Sequence, residues 1–265
     1  MCEHHIKAGS VSVDGMHRRD LVRGLWTGSL LLSTAGCASA AKYLAPSDDQ
    51  LMQMSAEAWT QTKKDTPVSK DAAGNKRLQT VGPKIAAVAN IPNAQWEYVL
   101  FDSKELNAWV LPGGKVGFYK GLMDFCDNDH QVAAVIGHET GHVAKRHAAL
   151  RAGEQQAESL GVGLAGAVLN GRLNADQLSL ATNVLGMGLN VASALPFSRS
   201  HEAEADRVGV DYMHLAGYNV NEAVKLWEKM SAASASRPPE FLSTHPDPVN
   251  RAQNLRDYIK AQKYA

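Results

Sequence analysis

His138-Glu139-Thr140-Gly141-His142 is the segment that most restricts how this chain can fold. It spells H-E-x-x-H, a pattern with chemical meaning only on a helix. There each residue turns by about 100°, so His138 and His142 lie about 40° apart and can aim two imidazole nitrogens at one metal ion. Glu139, about 100° round from His138, can reach a metal-bound water instead of the metal. Val132, Val135, Ile136 and Val143 border the two histidines, which places the metal at the edge of a core. The opposite side, Ala133, Gly137, Gly141 and Ala144, is made of small residues and would admit a second helix at close range, at a cost in helix propensity for each glycine. Upstream, Asp127-Asn128-Asp129 offers cap residues, with Gln131 three after Asn128 in capping-box spacing. The spacing predicts a helix that starts near 128–130.

The remaining composition narrows the function by exclusion. With 265 residues the chain can bury a sizeable core. Its 27 basic residues balance 27 acidic ones, which argues against a nucleic-acid partner. Cys2, Cys37 and Cys126 do not make a disulfide framework, and Cys126 reads as a small core residue.

Residues 1–40 read as an N-terminal extension and export signal, leaving 41–265 as the folded domain. A leader starts after Met16, with His17-Arg18-Arg19 ahead of an apolar stretch from Leu21 to Ala35 that is too short for a membrane span. Thr34-Ala35-Gly36-Cys37 resembles a lipobox with Thr in place of the usual Leu, which predicts lipidation at Cys37. Ala38-Ser39-Ala40 is a competing site for ordinary cleavage, and Arg18-Arg19-Asp20-Leu21-Val22 loosely resembles a twin-arginine signal. The expected location is the periplasmic face of the outer membrane through an N-terminal lipid anchor, or the soluble periplasm if ordinary signal peptidase cleaves the leader.

Beyond the leader, apolar spacing predicts helices over 47–64 and 76–90. Trp96 to Phe101, Ala108 to Leu111 and Lys115 to Tyr119, with the Pro112-Gly113-Gly114 turn, predict a small antiparallel sheet just before the motif helix. A strand there can bind an extended peptide by main-chain hydrogen bonds, which makes Asn107, Ala108 and Trp109 candidate substrate contacts. The Ala-, Gly- and Leu-rich stretch over 148–195 fits two helices, and a last helix is expected over 249–260.

Two histidines leave a hydrolytic zinc short of one protein ligand. A metzincin extension would need glycine at 145 and histidine at 148, where the chain has Lys145 and Ala148. His147 points about 180° away from His138 on the same helix and is no substitute. In the helix that opens at Ser198, Ala205, Val208, Tyr212 and Leu215 form an apolar stripe, and Glu204 groups with Arg207 and Asp211 on a solvated face. Glu202 and Asp206 sit about 40° apart at the stripe's margin. Two adjacent carboxylates repel unless a cation lies between them, so Glu202 on the metal and Asp206 on the far nitrogen of a ligand histidine would satisfy both.

H-E-x-x-H followed by E-x-E-A-D at 202–206 resembles the gluzincin zinc metallopeptidases that include the CAAX prenyl endopeptidase and the bacterial heat-shock membrane peptidase. Asn107-Ala108, Leu111-Pro112-Gly113-Gly114, and His245-Pro246 with Arg251 add to the resemblance. The export signal is similar to the exported lipoprotein branch of the β-barrel assembly-enhancing protease. The resemblance implies an α+β, mainly helical zincin-like domain with a small sheet beside the motif helix. It also implies one zinc per chain on His138, His142 and Glu202, with Glu139 as general base and Arg251 joining Asp206 behind the ligands. Its substrates would be misfolded or unassembled envelope proteins, with the envelope assembly machinery as a further partner. A metal-stabilised chaperone or scaffold without turnover is the rival expectation. His245, expected in a loop, has two open roles: donating to the oxyanion, or occupying the metal's fourth position until substrate arrives.

Overall fold

The computed structural model describes residues 45–157, 197–234, 240–245 and 250–264. The leader with Cys37 and most of the stretch expected as a helical pair lie outside the described residues.

Helix α1 (Asp48–Asp65) starts at Ser47, whose side chain and that of Gln50 form a capping box. Helix α2 (Ala72–Ala89) begins four residues before the apolar periodicity does, because Asp71 caps it by accepting from the Ala73 N–H. Three strands follow, β1 (Glu97–Phe101), β2 (Ala108–Leu111) and β3 (Lys115–Tyr119), in the order β1-β3-β2. The sheet is mixed and not antiparallel throughout. β2 and β3 form the expected hairpin, but β3 then lies between its neighbours and runs parallel to β1. The short connection over 102–107 carries the chain past β3's place to the far edge, so the hairpin returns into the gap. Gly113 (φ 84°) and Gly114 (φ 92°) make the tight turn in a region closed to most side chains. Gly117 leaves room for the Trp109 indole, which stands where a Cβ would be.

Helix α3 (Lys120–Phe125) leads into α4 (Asp129–Ala144), the motif helix. Asn128 accepts from the Gln131 N–H as a cap, while Gln131 reaches one residue further back than a capping box requires and accepts from the Asp127 N–H. Every residue from Gln131 to His142 is buried, so α4 runs through the interior and the motif is not at the core's edge as the apolar stripe suggested. Helix resumes over 147–157 after a turn at Lys145 and Arg146. Helices α5 (Arg199–Leu215), α6 (Asn221–Ser234), α7 (Glu240–Thr244) and α8 (Arg251–Gln262) complete the described chain. Leu78 and Ile85 of α2, Leu100 and Phe118 of the sheet, Val132 and Ile136 of α4, and Met213, Leu226 and Phe241 share one core.

The expected use of small residues on α4 holds. A Cβ at Gly137 would lie 2.8 Å from the Gly209 carbonyl oxygen, and one at Gly141 2.9 Å from that of Ala205. From the other side, a Cβ at Gly209 would lie 2.7 Å from the His138 backbone nitrogen. The backbones of α4 and α5 therefore touch, closer than side chains larger than hydrogen permit.

Two predictions follow from the packing. Replacing a helix-interior glycine by alanine ordinarily adds about 0.5–1 kcal/mol of stability, whereas Gly209→Ala should remove about 1–3 kcal/mol by overpacking. Urea unfolding reads the sign, and a more stable variant contradicts the close contact. The second concerns Glu222, which accepts from Asn128 Nδ2 at 2.9 Å and Gln131 Nε2 at 3.0 Å, tying α6 to the start of α4. Those hydrogen bonds and Lys225 hold its carboxyl at about 2, below the ordinary 4.5. A depressed carboxylate stabilises the fold above its unfolded value and stops doing so as pH falls through its folded value. The stability gap between wild type and Glu222→Gln should thus be widest above pH 5 and shrink toward pH 2. A gap that does not change with pH contradicts this.

Candidate metal centre

Four buried side chains from three segments meet beside α4. His138 Nε2 and His142 Nε2 are 3.1 Å apart. Glu202, in the first turn of α5, places Oε2 3.2 Å from His138 Nε2 and Oε1 3.3 Å from His142 Nε2. His245, the residue after α7, places Nδ1 3.1 Å from Glu202 Oε1 and 3.3 Å from His138 Nε2. It lies in a bend outside the helix, as the sequence suggested, but only 2 % of it is exposed. Its backbone N–H donates to the Phe241 carbonyl, which continues the hydrogen bonding of α7.

These separations fit a small divalent ion. Ligands of a tetrahedral ion with bonds of about 2.0–2.1 Å lie about 3.3–3.4 Å from one another, close to the spacing found here. The donor atoms of His138, His142, Glu202 and His245 all fall within 4.8 Å of one another. Glu202 Oε2 is fully buried, and despite its ion-pair distances to His138 Nε2 (3.2 Å) and Arg251 Nη2 (3.7 Å) it accepts no hydrogen bond of good geometry among the described residues. A buried carboxylate oxygen in that condition is costly unless a cation meets it.

The groups behind the cluster orient it. Asp206 Oδ1 lies 2.9 Å from His138 Nδ1, and Arg251 reaches the same oxygen at 2.5 Å while its guanidinium covers the Trp227 ring at 3.5 Å. A proton on Nδ1 facing Asp206 leaves the His138 Nε2 lone pair directed at the cluster. Burial works against charge on His138, but Glu202 and Asp206 outweigh it and lift its pKa to about 9. Burial likewise opposes ionisation of Glu202, and the three imidazoles reverse it and hold the carboxyl far below its usual range. Glu139 is fully buried beside them, 3.4 Å from His245 Nε2, and burial raises its pKa.

The face of α5 that carries the carboxylates differs from the sequence reading. Glu202, Ala205, Asp206, Gly209, Val210 and Met213 are its buried residues, whereas Leu215 is 63 % exposed. The carboxylates occupy the middle of the buried face, because α5 is held by backbone contact at Ala205 and Gly209 and not by the aliphatic stripe. His147 also departs from expectation. Arg146 adopts a left-handed conformation (φ 55°), which breaks the helix and swings His147 back so that its Nδ1 lies 2.9 Å from His142 Nδ1. Of the candidate substrate contacts, Ala108 is fully buried and the Trp109 side chain packs against Trp59 and Phe101. Asn107 keeps a buried side-chain oxygen that no described residue hydrogen-bonds.

Residues 72–259 match the family model of Peptidase family M48. The chain belongs to that family. It is 35 % identical over 178 residues to the mitochondrial metalloendopeptidase OMA1 of Schizosaccharomyces pombe, covering 66 % of this chain and 50 % of that one. It is 29 % identical over 219 residues to the β-barrel assembly-enhancing protease of Escherichia coli, covering 78 % and 43 %. Metalloprotease YcaL of Escherichia coli is 31 % identical over 195 residues, 74 % of each chain. The chain thus spans about half the length of the first two relatives. Membership of M48 and the His-His-Glu-His cluster together imply a divalent metal at this centre. No helix among the described residues is long and apolar enough to cross a membrane.

If this M48 centre is held as the geometry indicates, Glu202→Ala should lose the metal or bind it at least 100-fold more weakly, while Glu204→Ala, altered on a half-exposed residue, keeps one ion per chain. Elemental analysis after dialysis against dilute metal distinguishes them, and equal metal content in the two variants contradicts the ligand set.

Proposed function

We propose that this chain is a zinc-dependent endopeptidase that cleaves misfolded or unassembled proteins of the cell envelope, with zinc on His138, His142 and Glu202. The observation that carries the reading is the triangle of two imidazole nitrogens and one carboxylate oxygen at 3.1–3.3 Å, with Glu139 buried beside it. Two histidines and a glutamate are a donor set that suits catalytic zinc. The ion, when bound, supplies the Lewis acid that polarises a peptide carbonyl and acidifies water. Glu139 receives the water's proton on its carboxylate and passes it to the leaving amine, and burial, by raising its pKa, brings it toward the range a general base needs. Asp206 and Arg251 fix His138, and the edge of β2 that no described strand covers, with Ala108, Trp109 and the preceding Asn107, aligns the substrate main chain. His245, whose Nδ1 is as close to Glu202 and His138 as their donor atoms are to one another, would help hold the ion at rest.

Cleavage of an unfolded protein by the wild type should vanish in Glu139→Gln with zinc retained. A variant that cleaves as fast as the wild type refutes the general base, and a wild type that binds zinc without cleaving favours a scaffold. At equal zinc content His245→Ala should raise basal cleavage. A fall of about 10²-fold instead assigns it the oxyanion, and no change excludes both roles.

The envelope assignment draws on the leader and on the printed name of the β-barrel assembly-enhancing protease. On this reading the chain is a lipoprotein anchored at Cys37 on the periplasmic face of the outer membrane, or soluble in the periplasm if ordinary signal peptidase cleaves the leader. Cys37→Ser should abolish lipid labelling and release the chain from the membrane fraction, and unchanged fractionation overturns the anchor.

A further inference from the structure

Each histidine of the motif turns one ring nitrogen to the cluster and the other to the protein behind it, and the two backing groups differ in kind. His138 Nδ1 meets a carboxylate, Asp206 Oδ1, at 2.9 Å. His142 Nδ1 meets a third imidazole, with His147 Nδ1 2.9 Å away. On the far side of that ring His147 Nε2 lies 3.3 Å from Glu204 Oε2, and Lys145 Nζ lies 2.9 Å from Glu204 Oε1. His142 and His147 are both buried, so bulk water does not compete for the contact between them. The left-handed residue Arg146 (φ 55°) brings His147 round, since on an unbroken helix it would point about 180° away from His138. A non-glycine residue in that conformation is strained, and such strain persists where the surrounding structure fixes it. His201 stacks on the His147 ring at 4.4 Å and holds its plane.

The protons that join these atoms run in one direction. Two ring nitrogens facing each other at 2.9 Å share one proton, so one donates and the other accepts. His142 Nε2 lies in the cluster, 3.1 Å from His138 Nε2 and 3.3 Å from Glu202 Oε1. When that nitrogen offers its lone pair to a metal, the proton of the neutral ring sits on Nδ1 and needs an acceptor. His147 Nδ1 accepts it, the proton of His147 then sits on Nε2, and Glu204 Oε2 accepts in turn. The reverse assignment, with His147 Nδ1 donating, puts the proton of His142 on Nε2 and closes that nitrogen to a metal. Phe197 does not settle the choice. It stacks on the His142 ring at 4.0 Å, and a stack is nearly unchanged when the ring turns by 180° about its Cβ–Cγ bond, a turn that would put a carbon where Nε2 stands.

We propose that His147, steadied by Glu204, is a positioning residue that accepts the His142 Nδ1 proton and keeps His142 Nε2 turned to the metal, as Asp206 does for His138. The two chains of contacts behind the ligands share one plan, an acceptor on the far nitrogen and a cation beyond it, Arg251 in one and Lys145 in the other. They differ in firmness. Asp206 is a buried carboxylate paired with a buried Arg251, whereas His147 offers a ring nitrogen whose charged support, Glu204 and Lys145, is nearly half exposed. Water can replace that exposed support, so Glu204→Ala keeps its ion while the loss of His147 itself frees the His142 ring to turn. The role rests on the metal reading of the centre and not on cleavage.

Zinc affinity of the full chain, read by competition with a chromogenic chelator, tests the role without any substrate. It should fall about 10- to 100-fold in His147→Leu. His147→Asn, which sets an oxygen near the lost Nδ1, should recover most of it, and His147→Gln, whose oxygen falls near Nε2, should not. The Asn and Gln variants carry the same amide, so a general loss of packing would weaken both, and their comparison decides the matter even where the Leu variant fails to fold. With Co²⁺ in place of zinc, the absorption spectrum should shift in the Leu and Gln variants and return in Asn. Wild-type affinity in His147→Leu, or an Asn variant no better than Gln, overturns the role and leaves the centre standing. A wild type that holds no zinc removes the centre and the role together, so the two failures are told apart by the wild type alone.

Discussion

The contact between the backbones of α4 and α5 at Gly137, Gly141, Ala205 and Gly209 is the constraint on which the centre depends. A helix presents side chains on a cylinder about 10–12 Å across, and two ordinary helices stand far enough apart that ligands on facing sides share space with the packing residues. Glycine removes that layer. The His138 and His142 rings and the Glu202 carboxylate then lie side by side along the seam, with donor atoms 3.1–3.3 Å apart. Glycine lowers helix propensity, and burial of the whole of α4 from Gln131 to His142 offsets the loss.

The seam also collects ionisable groups that the interior would otherwise reject. His138, Glu139, His142, Glu202, Asp206, His245 and Arg251 are each less than a tenth exposed. Arg251 with Asp206 makes one compensated pair, and Glu202 among three imidazoles makes another whose balance depends on a proton or an ion. Removing the positive partner from such a pair costs more than the pair contributes. A cation held by the cluster would supply that partner, and burial leaves Glu139 beside it with a raised pKa.

Much of this was legible in the residues, because the pattern and the geometry share one period. H-E-x-x-H puts two histidines on one helical face, Asn128 fixes where that helix starts, and the i, i+4 pair Glu202 and Asp206 calls for a positive partner. The parallel pairing of β1 with β3 was not legible, because strand order is set by a six-residue connection with no strong turn signal. The buried face of α5 was misplaced because glycine carries no hydrophobic signal and the face is centred on acids. His147 was set aside on the premise of a continuous helix, and Lys145-Arg146 contains neither Gly nor Pro to announce the break.

The central claim is that two helices in glycine contact hold one zinc by two imidazoles and a carboxylate. Zinc K-edge X-ray absorption on the chain loaded with one ion tests it most directly. The account predicts a four-coordinate shell of nitrogen and oxygen at about 2.0–2.1 Å with outer scattering from at least two imidazole rings. A sulfur shell at about 2.3 Å, six-coordination, or failure to retain one zinc per chain would contradict it.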